Sequence, residues 1–182
     1  LILWLFLSLI STSTLALSSD WVFNDKSKVR LISSKNSVDN VNQIVLGLEY
    51  ELEPGWKTYW KSPGGGGFPQ KIIWDNSTNI KDIKIDWPTP KEFEILGLSS
   101  LGYEDKVIFP LLVKLYDSNK TTVVNLNTNY LVCKDICIPG NANLLLEIQP
   151  GTGEYSEFFH EIEKTRSLLP IENINLSSLY KL

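Results

Sequence analysis

Between residues 41 and 53 the chain alternates between two sets of side chains. Ile44, Leu46, Leu48, Tyr50 and Leu52 share one parity, and Val45, Gly47, Glu49, Glu51 and Glu53 share the other. Strand side chains alternate faces with period two, so Val41–Glu53 predicts a strand with one buried and one wet face. Lys106–Tyr116 repeats the pattern with Val107, Phe109, Leu111, Val113 and Leu115; Pro110, which cannot donate to a ladder, assigns that strand to an edge or a bulge. Shorter strands are expected at Val29–Ser33, Trp56–Trp60, Lys71–Asp75 and Ile80–Trp87, with a brief edge strand at Glu92–Ile95. Glu53-Pro54-Gly55, Pro88-Thr89-Pro90 and Asp117-Ser118-Asn119-Lys120 punctuate them as turns, and Leu96–Asp105 reads as a loop. Roughly eight or nine short strands without intervening helices indicate an all-β, antiparallel sandwich. Only Glu154–Leu169 departs from this, with Phe158, Phe159, Ile162 and Leu169 at helical spacing and Pro170 as the stop. An amphipathic helix of this kind is expected to pack on its own domain.

The run Ser62-Pro63-Gly64-Gly65-Gly66-Gly67 is rich enough in glycine to suggest phosphate cradling. It lacks a Lys-Ser/Thr ending and a following helix, which leaves a flexible loop. Composition is ordinary for a globular domain, with 43% hydrophobic and 21% charged residues, and a net charge of -4 offers no footprint for nucleic acid. Six tryptophans in 182 residues predict large aromatic anchors in the core. Residues 1–10 are apolar, and Ser-Thr-Ser-Thr-Leu-Ala-Leu-Ser follows, which together resemble a secretory signal over residues 1–18 cut near Ala16. The missing initiator Met and basic leader predict a reading frame incomplete at the N-terminus. The expected organisation is then a main β domain over residues 21–150, a helix over 151–170, and a linker or tail over 171–182.

Candidate chemistry lies in Tyr130-Leu131-Val132-Cys133-Lys134-Asp135-Ile136-Cys137-Ile138-Pro139-Gly140, which holds the 2 cysteines of the chain. A hairpin of Asn125–Cys133 and Cys137–Ile148 brings facing Cα atoms to roughly 4.5–5.5 Å, within reach of a disulfide. Val124, Leu126, Tyr130 and Val132 share the apolar parity, so Cys133 takes the opposite, mostly polar face. That favours an accessible, working thiol over an inert core one. A structural staple is the bland reading, yet closing about five residues is worth only roughly 2 kcal/mol, against about 3 for fifteen. A metal site would need more ligands than His160, the 1 histidine, can add, and there is no Met.

Several stretches carry a resemblance. They are Pro54-Gly55-Trp56-Lys57-Thr58-Tyr59-Trp60-Lys61-Ser62-Pro63-Gly64, Asp86-Trp87-Pro88-Thr89-Pro90, Leu101-Gly102-Tyr103-Glu104-Asp105 and the cysteine stretch itself. In this order they resemble the N-terminal periplasmic domain of the DsbD family of thiol:disulfide interchange reductases, including the branch that holds the suppressor-of-copper-sensitivity protein ScsB. The resemblance implies an immunoglobulin-like antiparallel β-sandwich with a reversible Cys133–Cys137 pair and no further cofactor. It implies a periplasmic electron relay that reduces partner disulfides. A thioredoxin-like domain would be the donor, and an exported disulfide isomerase or cytochrome-maturation thiol protein the acceptor. Membrane reductase domains, which would anchor the full-length protein in the inner membrane, lie outside this sequence. By position Cys137 would attack and Cys133 resolve. The family's aromatic cap loop matches Leu98–Asp105, with Tyr103 as the cap and Tyr59 as an aromatic beside the pair. Gly97 and Gly102 would permit hinge angles for such a lid, and the alternative is that Tyr103 is a core aromatic at the start of the next strand. The family's best-known members space the cysteines more widely and place acids before the cap aromatic, whereas Glu104 and Asp105 follow Tyr103. Two readings compete with the relay: an exported immunoglobulin-like binding module with a static disulfide, and a purely structural domain presenting the helix and tail.

Overall fold

A computed structural model describes residues 17–95 and 97–170. In chain order its strands are β1 (Val22–Asn24), β2 (Ser27–Ser33), β3 (Gln43–Leu52), β4 (Lys57–Gly64), β5 (Lys71–Ile73) and β6 (Ile80–Ile85). There follow β7 (Lys91–Ile95), β8 (Leu98–Glu104), β9 (Lys106–Leu115), β10 (Thr122–Cys133), β11 (Cys137–Ile148) and the helix α1 (Phe159–Ser167). The expected signal region over residues 1–16 and the tail over 171–182 lie outside the described residues. Leu17 is buried and Ser18 bridges Ile32, so the chain joins the domain ahead of the expected boundary after residue 18.

Two antiparallel sheets form the sandwich, ordered β1-β2-β3-β9-β6 and β11-β10-β4-β8-β7, with β5 added on β10. The parity seen in the sequence selects the faces. Ile44, Leu46, Leu48, Tyr50 and Leu52 of β3 point inward, as do Val107, Phe109, Leu111, Val113 and Leu115 of β9. They meet Val124, Leu126, Tyr130 and Val132 of β10 and Leu144, Leu146 and Ile148 of β11. An aromatic cluster crosses the gap: Tyr50 lies edge-on to Phe109 at 5.5 Å and to Tyr130 at 5.0 Å, and Phe109 also meets Trp87 at 5.0 Å and Tyr103 at 5.1 Å. Buried hydroxyls are paired across the sheets, Tyr50 with Thr128 at 2.8 Å and Tyr130 with Ser27 at 2.9 Å. The tryptophans do not anchor the centre as expected. Trp56, Trp60, Trp74 and Trp87 are only partly buried at its margin, since rings of this bulk are rarely enclosed completely, while Tyr50, Tyr59 and Phe109 are the largest fully buried rings.

Four further expectations need correction. The face of β3 predicted to be wet is covered, because α1 sets Ile162 against Ile32 and Ile108 across Gly47. Glu49 on that face is fully buried and ion-paired to Arg30 at 2.6 Å and Lys106 at 2.5 Å. Pro110 sits in an interior strand, between β3 and β6. Its carbonyl accepts from the Asp86 amide at 2.8 Å, and the N–H it lacks would face that same side, just where β6 ends at Ile85. The helix starts at Phe159 instead of Glu154, because Tyr155 bridges Lys35 and the Ser156 hydroxyl is engaged by Ser33 and Phe158. Finally, the segment expected as a loop over Leu96–Asp105 contains β8, paired with β4 on one side and β7 on the other. Strand β1 had no signal in the pattern; three residues are too few to show a period.

Candidate functional site

The hairpin of β10 and β11 runs in register from Thr122 opposite Ile148 to Cys133 opposite Cys137. Every facing pair along it is accounted for, so the alternation upstream dictates where the cysteines meet. Lys134, Asp135 and Ile136 form the turn, closed by the Lys134 amide donating to the Ile136 carbonyl at 3.0 Å. Cys133 and Cys137 are joined by a disulfide with Cα atoms 4.1 Å apart.

The two sulfurs have different surroundings. Cys137 is exposed, next to an Ile136 that is 61% exposed, whereas Cys133 has no exposed surface. Parity did send Cys133 away from the main core, since Val132 points inward. The outer face it occupies is not open, however, which corrects the expectation of an accessible thiol at this position. A satellite cluster of Tyr59, Ile95 and Cys133 lies there, flanked by Phe93 and Leu131. Strand β4 supplies Tyr59 because Val132 pairs with Thr58 and Cys133 with Lys57, which sets the next outward side chain of β4 beside the sulfur. The Thr58 hydroxyl secures this register by donating to the Leu131 carbonyl at 3.0 Å.

The Tyr59 hydroxyl lies 3.1 Å from Cys133 Sγ and 3.8 Å from Cys137 Sγ, and it also reaches the Gly66 carbonyl at 2.9 Å. Its burial pushes its pKa up, so it stays a neutral donor. The glycine run is thus no free loop. Gly65 donates to the Ser99 carbonyl at 3.1 Å, and a Cβ on Gly67 would stand 2.3 Å from the Tyr59 ring. Only a segment without side chains can lie this close over the aromatic. No feature of its sequence pointed to this contact; the run was legible only as a breaker.

Tyr103 and Gly102 do not occupy the places expected of a cap and its hinge. Tyr103 faces inward from β8, 7% exposed, with its ring against Phe109 and its hydroxyl donating to the Pro88 carbonyl at 2.7 Å. Gly102 pairs with Tyr59, and a Cβ there would lie 2.0 Å from the Thr58 carbonyl, so it is glycine for close approach of two strands. What covers Cys133 comes instead from Tyr59, Phe93 and Ile95, the last two on β7 next to the tight turn that Gly97 makes at φ +77°. The family's cap loop matched Leu98–Asp105, one strand further along the chain, and that is why the resemblance pointed to Tyr103 instead of β7. Glu104 is paired with Lys91 at 2.7 Å, which holds its carboxyl below the usual range, and Asp105 turns the chain at φ +60°. Among the described residues no group of three or more His, Cys, Asp or Glu could hold a metal, and no helix is long and apolar enough to cross a membrane.

Residues 29–148 match the family described as thiol:disulfide interchange protein DsbD, N-terminal. Among solved structures, the N-terminal periplasmic domain of ScsB from Proteus mirabilis superposes with a TM-score of 0.69 at 28% identity, covering 87% of this chain and 61% of that one. The chain therefore spans under two thirds of that domain. The DsbD N-terminal domain of Neisseria meningitidis in its reduced form matches at 12% identity and a TM-score of 0.37, over 69% of this chain and 86% of that one. Among curated proteins, none matches this sequence significantly.

Proposed function

The chain belongs to the DsbD N-terminal family of thiol:disulfide interchange proteins, and on that footing we propose that it is a periplasmic reductase module. It takes electrons from a thioredoxin-like domain and passes them to an exported disulfide isomerase or a cytochrome-maturation thiol protein. The Cys133–Cys137 pair carries both electrons, with no other cofactor. The observation that supports this reading best is the asymmetry of the sulfurs, one open to a partner and the other enclosed.

In the reduced pair, Cys137 thiolate attacks a sulfur of the partner disulfide and forms a mixed disulfide, and the partner's second sulfur leaves as thiolate. Cys133 then attacks Cys137 Sγ, the intermolecular bond breaks, and the partner departs with both thiols reduced. Each turn moves two electrons outward and leaves Cys133–Cys137 oxidised. Cys133 cannot begin the sequence, because no partner sulfur reaches a fully buried atom along the line of the bond it must form. Cys133→Ser is expected to trap a mixed disulfide with a thioredoxin-like partner, and Cys137→Ser to trap none; the opposite outcome reverses the roles. The reduction potential separates the relay from a static staple. A value well below about -300 mV would mark a disulfide that the partner pool never reduces, and the reductase reading would then fail.

A further inference from the structure

We propose that the Tyr59 hydroxyl is a catalytic hydrogen-bond donor to Cys133 Sγ, held in place by the Gly66 carbonyl and serving the sulfur when it carries negative charge. The proposal rests on the exchange reading above and adds a chemical role to a residue so far placed only as a neighbour.

When the module is recharged, a donor thiolate attacks Cys137 Sγ. The new bond joins the donor sulfur to Cys137, the Cys133–Cys137 bond breaks, and the electron pair goes to Cys133 Sγ, which leaves as a thiolate. A second donor thiolate then attacks the donor sulfur of the mixed disulfide, releasing Cys137 as thiolate and the donor as its disulfide. Water supplies the proton that each thiolate later takes up. The first of these steps deposits a full charge on an atom with no exposed surface, among Ile95, Phe93 and Leu131. An uncompensated charge in such a place is strongly disfavoured, which would slow the step. Among the described residues the side-chain donor within reach of this sulfur is Tyr59, at 3.1 Å.

A tyrosine hydroxyl has one hydrogen, and here it has two acceptors. A neutral disulfide sulfur accepts weakly, so in the oxidised protein the hydrogen rests with the Gly66 carbonyl at 2.9 Å. A thiolate accepts far more strongly, and the hydroxyl need only rotate its hydrogen from one acceptor to the other. The oxygen itself need not move, because the ring is buried, with Phe93 at 6.3 Å between centroids and the bare backbone of Gly67 packed close against it. Donors fixed in advance at the atom where charge develops cost no reorganisation during reaction. The raised pKa of Tyr59 keeps the hydrogen available throughout the pH range in which thiols exchange.

The test uses the purified protein and dithiothreitol as donor. Tyr59→Phe keeps the ring and its packing and removes only the hydroxyl. Its disulfide is expected to be reduced about tenfold more slowly. In a Cys137→Ser background, Tyr59→Phe is expected to raise the pKa of the remaining Cys133 thiol by about one unit, read from thiolate absorbance. A role limited to packing would move neither quantity. Tyr50→Phe, which removes a buried hydroxyl bonded to Thr128 in the main core, serves as control and should leave the reduction rate unchanged. Equal rates and equal thiol pKa values with and without the Tyr59 hydroxyl would overturn the proposal while leaving the exchange reading intact. A wild-type disulfide that dithiothreitol cannot reduce would instead sink the exchange reading itself.

Discussion

Tyr103 and Gly102 are neighbours on β8 and face opposite sides of the sheet, which gives them unrelated tasks. Tyr103 fills the core against Phe109, so Tyr103→Ala should cost about 3–5 kcal/mol through the cavity it leaves. Tyr103→Phe should cost about 1 kcal/mol, the net worth of the bond to the Pro88 carbonyl. Denaturant midpoints measure both. A Tyr103→Ala protein that keeps its midpoint but exposes its thiols would restore the idea of Tyr103 as a cap. In the sequence, a tyrosine after two separated glycines looks the same whether it faces a core or a cleft. The face is decided by strand register, and that register comes from pairing with Thr58 and Leu101's partner Glu92 on the flanking strands.

At the scale of elements, α1 is joined to the sandwich by a few contacts on the outer face of β2, β3 and β9. Ile162 is fully buried there, and Lys106 links Glu161 of the helix at 2.6 Å to Glu49 of β3 at 2.5 Å. The Arg30 guanidinium, paired with Glu49, is sandwiched between the rings of Trp21 at 4.3 Å and Phe158 at 4.9 Å. Glu49 is therefore the shared counter-ion of two cations; removing it takes the carboxylate from Arg30 in a partly desolvated place, while Lys106 keeps Glu161. Glu49→Ala is expected to lower stability by about 3 kcal/mol, seen as a shifted denaturant midpoint with an unchanged slope. A loss below about 0.5 kcal/mol would show that the pair behaves like an exposed surface bridge. The sequence placed Glu49 on the wet face by parity, correctly for the strand alone. It could not show that a helix more than a hundred residues later returns to cover that face.

For the molecule as a whole, the core holds tyrosines whose phenols are protected from ionisation. Burial pushes the pKa of Tyr50, Tyr103 and Tyr130 above the ordinary value of 10.0. In the unfolded chain these phenols lose their protons near that ordinary value, whereas in the fold they keep them. Above it the folded state binds more protons than the unfolded one, so stability falls as pH rises. Below about pH 10 this contribution is complete. Above it each protected tyrosine removes about 1.4 kcal/mol per pH unit. Tyrosinate absorbance should therefore lag behind the exposed phenols and appear only as the protein unfolds. Titration of all the tyrosines near pH 10 in a protein that remains folded would show that the core is open to solvent.

By itself the sequence determined the sandwich, the main core and the place where the cysteines meet. Those features depend on period two within single strands and on a short hairpin, both of which are local. Val124 to Val132 on one parity and Cys133 on the other already set the sulfur apart from the main core. Only the tertiary structure decided what covers that sulfur, because the cover is assembled from β4, β7 and a glycine segment separated from it by tens of residues. Tyr59, Phe93 and Ile95 reach Cys133 through strand order, and Gly66 reaches Tyr59 through a backbone carbonyl that no side-chain pattern records. Burial of Cys133 and exposure of Cys137 follow from that assembly, since neighbours in the sheet are chosen by pairing across the chain and not by the residues on either side.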